Sequence, residues 1–219
     1  IEGAAKGRQL PFRYYSADQV VSGLRGGRDH KAVLSALEDC LAQSMGALPR
    51  FSGRVMSLCD NSGSARGTTT SSMGTMAIST IANLSAVLTG MRADEGFVGV
   101  FGDRLAVQSV QAQRSALSQL DAVEKLGTTV GGGTENGIWL FWDRAIREKQ
   151  HWDAVFVYSD MQAGHGGLYG LDAKSNYPDF IWSRSGNYID VPALIARYRE
   201  SVNPDVKVFL VQVAGYQDS

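Results

Sequence analysis

Five oxygen-bearing side chains, far apart in the chain, carry the chemistry this sequence can do. Asp60-Asn61-Ser62-Gly63-Ser64 follows directly on the apolar run 54–59. Thr134 closes the stretch Gly131-Gly132-Gly133-Thr134. Asp160 stands immediately after the β-branched and aromatic run 153–159. Two carboxylates, two serine hydroxyls and one threonine hydroxyl are hard donors. Converging on one point, they suit Mg²⁺ or Mn²⁺, with waters or a partner completing an octahedron. Calcium would draw more carboxylate oxygens, and zinc would draw His or Cys, neither of which belongs to this set. The pattern Asp-x-Ser-x-Ser is weak by itself, and a serine-rich turn that caps a helix, with Asp60 as a loop carboxylate, is the alternative. What sharpens it is position: each piece lies where a predicted strand or loop would deliver it to one rim.

The elements that must do this positioning read as an alternation of helices and strands. Apolar residues recur at helical spacing from Asp29, through Val33, Leu34, Leu37, Cys40, Leu41 and Met45, with Asp29 as a plausible N-cap and Gly46 and Pro49 as stop signals. A strand is predicted over 54–59, a Ser/Thr/Gly loop over 61–72 and a helix over 73–88. Residues 96–101 and 105–108 read as a hairpin turning at Gly102-Asp103. Helices follow over 114–126 and 135–149, then a strand over 153–159, a long glycine- and aromatic-rich loop over 161–190, a helix over 191–202 and a last buried strand over 206–213. This order predicts an α/β fold: a mostly parallel central sheet with one antiparallel edge hairpin and helices on both faces. In such a sheet, ligands bind outside the carboxyl ends of the strands, where Asp60 and Asp160 fall. Residues 1–28 read as an N-terminal arm or linker and 29–219 as the domain.

Composition sets the outer limits. The 219 residues suit one domain, and 44% hydrophobic residues suffice for a core. Lys and Arg number 21 against 22 Asp and Glu, a net charge of −1, which excludes a generally basic nucleic-acid binder. No apolar run approaches the roughly 18 residues of a membrane span, so no membrane partner is expected. Two cysteines, Cys40 and Cys59, exclude a disulfide scaffold and point to a reduced, cytoplasmic compartment.

Asp60-x-Ser62-x-Ser64, Thr134 and Asp160 resemble the metal-ion-dependent adhesion site (MIDAS) of von Willebrand factor A (vWA) domains. More narrowly, the chain resembles the C-terminal vWA-type domain of TROVE-family Ro proteins, the Y-RNA-binding ribonucleoproteins. This match is carried by Leu10-Pro11-Phe12-Arg13-Tyr14-Tyr15-Ser16-Ala17, by Leu48-Pro49-Arg50-Phe51-Ser52-Gly53-Arg54, by the strand into Asp60-Asn61-Ser62-Gly63-Ser64 and by Gly132-Gly133-Thr134-Glu135. The resemblance implies a Rossmann-like vWA fold and a non-enzymatic binding role. It implies that Ser62 and Ser64 coordinate the metal directly, Thr134 directly or through water, and Asp60 and Asp160 mostly through water or hydrogen bonds. An acidic group of a protein or another anionic ligand would complete the coordination. It also implies that non-coding, Y-like RNA is held by a ring of helical repeats preceding the domain, which this sequence does not contain, so the chain is expected to be the C-terminal piece of a longer protein.

Other residues invite chemistry less strongly. His165, after Asp160, reads as a solvated loop histidine or an auxiliary contact. Tyr169, Tyr177, Phe180, Trp182 and Tyr188 form either a partner surface or the private core of the 161–190 loop, close to the metal site. Asp103 is a turn residue first and an extra ligand second. Trp139, Phe141 and Trp142 read as packing, and Arg50, Arg54 and Arg66 flank the metal loop without forming a nucleic-acid patch. Two other functions compete. A metal-dependent, phosphatase-like hydrolase would need a second Asp where Ser62 stands and a Lys beside Asp60. Direct RNA binding by this chain would need a local basic patch.

Overall fold

The computed structural model of the chain describes residues 11–24, 29–67, 76–133, 137–160 and 189–213. They form a five-stranded sheet in the order β3-β2-β1-β4-β5, with β1 Phe51–Asp60, β2 Ala93–Phe101, β3 Leu105–Val110, β4 Ala154–Ser159 and β5 Lys207–Gln212. β1 pairs in parallel with β2 and with β4, β4 pairs in parallel with β5, and only the β2–β3 hairpin is antiparallel. The sequence-level architecture holds: a mostly parallel sheet with one antiparallel edge pair.

The strand sequences explain this arrangement. Alternation sends Val55 and Cys59 of β1, with Phe156 and Tyr158 of β4, into one core, and Met56, Leu58, Val155 and Val157 into the other. Both faces are therefore apolar, as a sheet clad in helices on both sides requires, and β1 is buried from Val55 to Asp60. The first core is closed by α1 Pro11–Gly23, α2 His30–Ser44, α4 Ile78–Met91 and α5 Ala116–Gly127. The second is closed by α6 Gly137–Arg147 and α7 Val191–Ser201. A one-turn helix, α3 Gly63–Arg66, follows β1 directly. In the second core, with Trp139 buried in the same cluster, Phe141 meets Trp142 edge to face at 5.0 Å, Trp142 meets Tyr198 at 5.1 Å and Phe97 meets Trp152 at 5.2 Å. These tryptophans are packing residues, as their sequence context indicates.

Helix ends follow local chemistry. Ser115 Oγ accepts from the Ser118 amide at 3.0 Å to start α5, and Asp190 Oδ1 accepts from the Ala193 amide at 2.9 Å to start α7. Asp29 holds the N-cap position of α2 but makes no side-chain cap bond.

Two readings change in the structure. The segment read as an arm contributes α1: Pro11 opens it, where a missing N–H costs nothing, and Tyr15 buries into the first core beside Leu41. Only a few residues of this helix are apolar inward contacts, so helical periodicity hides it. The final strand is not buried. β5 lies at the sheet edge with Phe209 43% and Leu210 66% exposed, because its one described strand neighbour is β4. An apolar β run by itself does not say whether both of its sides are covered.

Candidate metal centre

The strand order places a crevice between the carboxyl ends of β1 and β4. From β1 the chain leaves toward β2 on one side and returns through β4 on the other, so neighbouring connections diverge there. In-register pairing sets Cys59 opposite Tyr158, which brings Asp60, the last residue of β1, and Asp160, the first residue after β4, to the same rim. Both carboxylates are buried.

The first loop is held by its own side chains. Asp60 Oδ1 accepts from the Ser62 amide at 2.9 Å, an Asx-type turn that folds the chain back on the strand end. Ser62 Oγ caps α3 through the Ala65 amide at 3.4 Å. The Ser62 and Ser64 Oγ atoms lie 3.1 Å apart. Asn61, between the metal-loop residues, points away into the core and pairs reciprocally with Asn83 of α4, at 2.8 and 3.1 Å.

The second loop docks on the first. The Gly63 amide donates to the Gly132 carbonyl at 2.8 Å, and Arg66 Nη2 donates to the Gly131 carbonyl at 2.9 Å. From the β2–β3 turn, the Arg104 amide donates to the Val130 carbonyl at 2.9 Å, while Asp103 accepts from the amides of Gly132 and Gly133, both at 3.0 Å. Gly131 has φ +85°, and a Cβ there would run into the Asp103 carboxylate, so glycine is required on both counts. Gly127, at the end of α5, likewise leaves the space the Asn61 amide fills.

Burial raises the Asp60 carboxyl above its ordinary value of 3.8, and the nearby Asp160 charge pushes it the same way. The hydrogen bonds from the Ser62 amide and Ser159 Oγ, the latter at 3.2 Å, pull it back. Among the described residues, no basic side chain is paired with Asp60. A buried, uncompensated carboxylate beside a second one is an environment that a dication relieves. The hydroxyl spacing agrees: adjacent ligands of an octahedron at about 2.1 Å from the ion stand about 3.0 Å apart, close to the Ser62–Ser64 separation. Asp60, Asp160 and Ser62 form a buried floor, whereas Ser64 and Gly132 are exposed, so the site opens outward. Among the described residues, no three His, Cys, Asp or Glu side chains gather closely enough to hold a metal ion. Any ion here depends on the hydroxyls.

Of the five expected site residues, the structure brings Asp60, Ser62, Ser64 and Asp160 to one rim, and it docks the Gly131–Gly133 loop on Gly63 and Arg66 beside them. Thr134 lies outside the described residues, as do His165 and the aromatics of the 161–190 loop. Sequence reading missed Ser159 and the loop-anchoring role of Asp103. The signal for Asp103 was its place in a hairpin turn whose strand neighbours β1. Sequence proximity also misled: Arg54 lies toward the opposite end of β1, about 20 Å along the strand from Asp60, and Arg50 precedes that strand. Only Arg66 reaches the metal loops.

No protein-family model and no curated protein matches this sequence. Among solved structures, the chain is similar to the Ro (RSR) protein of Deinococcus radiodurans, at a TM-score of 0.65 and 15% sequence identity. The likeness covers 98% of this chain and 39% of that one, so the chain spans about two fifths of that protein's length. The shared property is the fold, a Rossmann-like vWA fold with an antiparallel edge pair.

Proposed function

We propose that this chain is a divalent-cation-dependent binding domain of vWA type, belonging to a Ro-like, RNA-associated protein. The observation that carries the reading is the convergence of Asp60, Ser62, Ser64 and Asp160 at the sheet's topological switch point, with the Gly131–Gly133 loop hydrogen-bonded to Gly63 and Arg66 beside them. Ser62 and Ser64 hold Mg²⁺ or Mn²⁺ directly, Thr134 directly or through water, and Asp60 and Asp160 through water or hydrogen bonds. When bound, the ion supplies an electrophilic position that prefers an anionic oxygen to another water. The residues do the rest. Asp60 fixes the turn that aims both hydroxyls, Ser159 orients Asp60, and the exposed edge at Ser64 admits an acidic group from a protein or another anionic ligand.

The role is binding, not catalysis. Both Asp60 oxygens are engaged, one by the Ser62 amide and one by Ser159 Oγ, and the residue is fully buried, so it does not present a nucleophile. The non-coding RNA partner of the full-length protein is engaged outside this chain, whose net charge of −1 gives little general attraction for phosphate. Free Cys40 and Cys59 support a reduced cytoplasmic setting, and among the described residues no helix is long and apolar enough to cross a membrane.

Calorimetric titration of the metal-free chain with Mn²⁺ and Mg²⁺ tests the reading. One site per chain is expected in the wild type and none in Ser62→Ala/Ser64→Ala. Equal binding in both proteins, or none in the wild type, overturns it.

A further inference from the structure

We propose that Asp103 is a positioning residue for the metal site: its carboxylate clamps the Gly131–Gly133 loop in the conformation that docks on Gly63, between the two serines of the metal loop. This deepens the metal-binding reading above and rests on it.

Two successive backbone amides, Gly132 and Gly133, point at the two oxygens of one side chain, Gly132 at Oδ2 and Gly133 at Oδ1, each at 3.0 Å. Successive N–H groups converging after a left-handed residue make an anion-binding nest, and here Gly131 at φ +85° supplies the left-handed step. The nest is filled from within the chain. Its occupant comes from the β2–β3 turn, whose Arg104 amide also binds the Val130 carbonyl. That turn follows Phe101, which pairs with Asp60 across β1 and β2. The clamp therefore refers the second loop to the same strand end that carries the first. Gly63 and Arg66 complete the hold through the carbonyls of Gly132 and Gly131. The amides of the loop are thus bound by Asp103 and its carbonyls by the first loop and Arg66. Gly63 stands between Ser62 and Ser64, so the clamp reaches the placing of the two hydroxyls through the Gly63–Gly132 bond.

Such outer contacts are worth about 10- to 100-fold in metal affinity when removed. The discriminating experiment pairs Mn²⁺ calorimetry with amide hydrogen exchange on the metal-free chain, in wild type, Asp103→Asn and Asp103→Glu. Asp103→Asn keeps the size but replaces one acceptor oxygen by a donor that faces the Gly132 or Gly133 amide. The expected result is Mn²⁺ binding about tenfold weaker, faster exchange at Gly132 and Gly133, and unchanged exchange in β1, with Asp103→Glu between the two. Faster exchange throughout β1, in step with the loop, would assign Asp103 a merely structural role and overturn the proposal. Wild type and Asp103→Asn binding Mn²⁺ equally overturns this proposal alone. A wild type that binds no Mn²⁺ overturns the metal reading and the metal role of Asp103 with it, while loop-specific exchange would still establish the clamp.

Discussion

The Gly63 amide donates to the Gly132 carbonyl at 2.8 Å, and this bond joins two loops separated in the chain by α4, β2, β3 and α5. It lies between the two hydroxyl-bearing positions of the first loop and one residue from Gly133. Any change that separates the loops breaks this bond first, so the geometry of the site is coupled to the docking of one loop on the other.

Asp60 is where that coupling meets the ion. Replacing it with Asn removes a buried charge that has no basic partner among the described residues and that lies near Asp160. In the absence of metal, Asp60→Asn is expected to melt at or above the wild-type temperature. Saturating Mg²⁺, at about 100 times its Kd, stabilises the wild type by about 2.7 kcal/mol, or about 5–10 °C for a chain of this size. The variant gains little. Differential scanning calorimetry with and without metal measures both halves, and a metal response of equal size in the two proteins would remove Asp60 from the site.

The same burial fixes a pH dependence. The folded-state carboxyl of Asp60 titrates above its ordinary value of 3.8, so the folded protein retains a proton that the unfolded chain has already lost. The resulting stability is fully present below about 3.8 and is lost as pH rises through the raised folded value. The difference in unfolding free energy between metal-free wild type and Asp60→Asn should therefore move against the wild type across that window as pH rises. Urea melts at several pH values read it directly, and a constant difference would mean that Asp60 is not perturbed.

How much of this was legible in the sequence depends on what each residue answers to. Asp60, Ser62 and Asp160 were readable because short continuous apolar runs end just before them, and the end of a buried strand is a fixed place in an α/β sheet. The hairpin was readable from Gly102-Asp103 for the same local reason. Tyr15 was not, since its helix buries only a few residues and shows no apolar stripe. The exposure of Leu210 was not readable either, because burial of an edge strand depends on neighbours that the run itself does not encode. Nor was the Asp103 clamp, which joins a turn to a loop through a tertiary contact that leaves no spacing behind.

Asn61 and Asn83 form a sealed pair beneath the metal loop, both buried and bonded to each other twice. Truncating Asn61 to Ala strands the Asn83 amide in the core, at about 1–3 kcal/mol, whereas Asn83→Ala strands the Asn61 Oδ1 and leaves its Nδ2 the Cys59 carbonyl at 3.3 Å. Asn61→Ala/Asn83→Ala is expected to cost less than the sum of the single changes, giving a coupling energy of about 1 kcal/mol or more in a double-mutant cycle. Because Asn61 sits between Asp60 and Ser62, Asn83→Ala should also weaken Mn²⁺ binding although it touches no ligand. Additive chemical-denaturation energies would show that the pair does not act as a unit.

Arg54 provides the opposite case, a charged residue close to the site in sequence and remote from it in space. Its guanidinium lies 4.3 Å from the Trp152 ring centroid and 4.8 Å from that of Phe97. Its amide donates to Asp153 at 2.6 Å, a bond that holds the Asp153 carboxyl below its ordinary value. The amide bond survives any side-chain change, so Arg54→Ala loses the stacking, the packing of the side-chain stem and a 3.9 Å ion pair with the exposed Glu95, which adds little. A cost of about 0.5–2 kcal/mol follows from cation–π energetics at a partly exposed position. Arg54→Lys should recover part of it, since an ammonium keeps the charge but not the flat face that stacks on both rings. The Mn²⁺ affinity of both variants should equal that of the wild type, because about 20 Å of buried β1 separates Arg54 from Asp60. Urea denaturation and metal calorimetry on the same samples separate the two effects. A weakened metal site in Arg54→Ala would mean that the two ends of β1 are coupled, which the rigidity of a strand paired on both sides argues against.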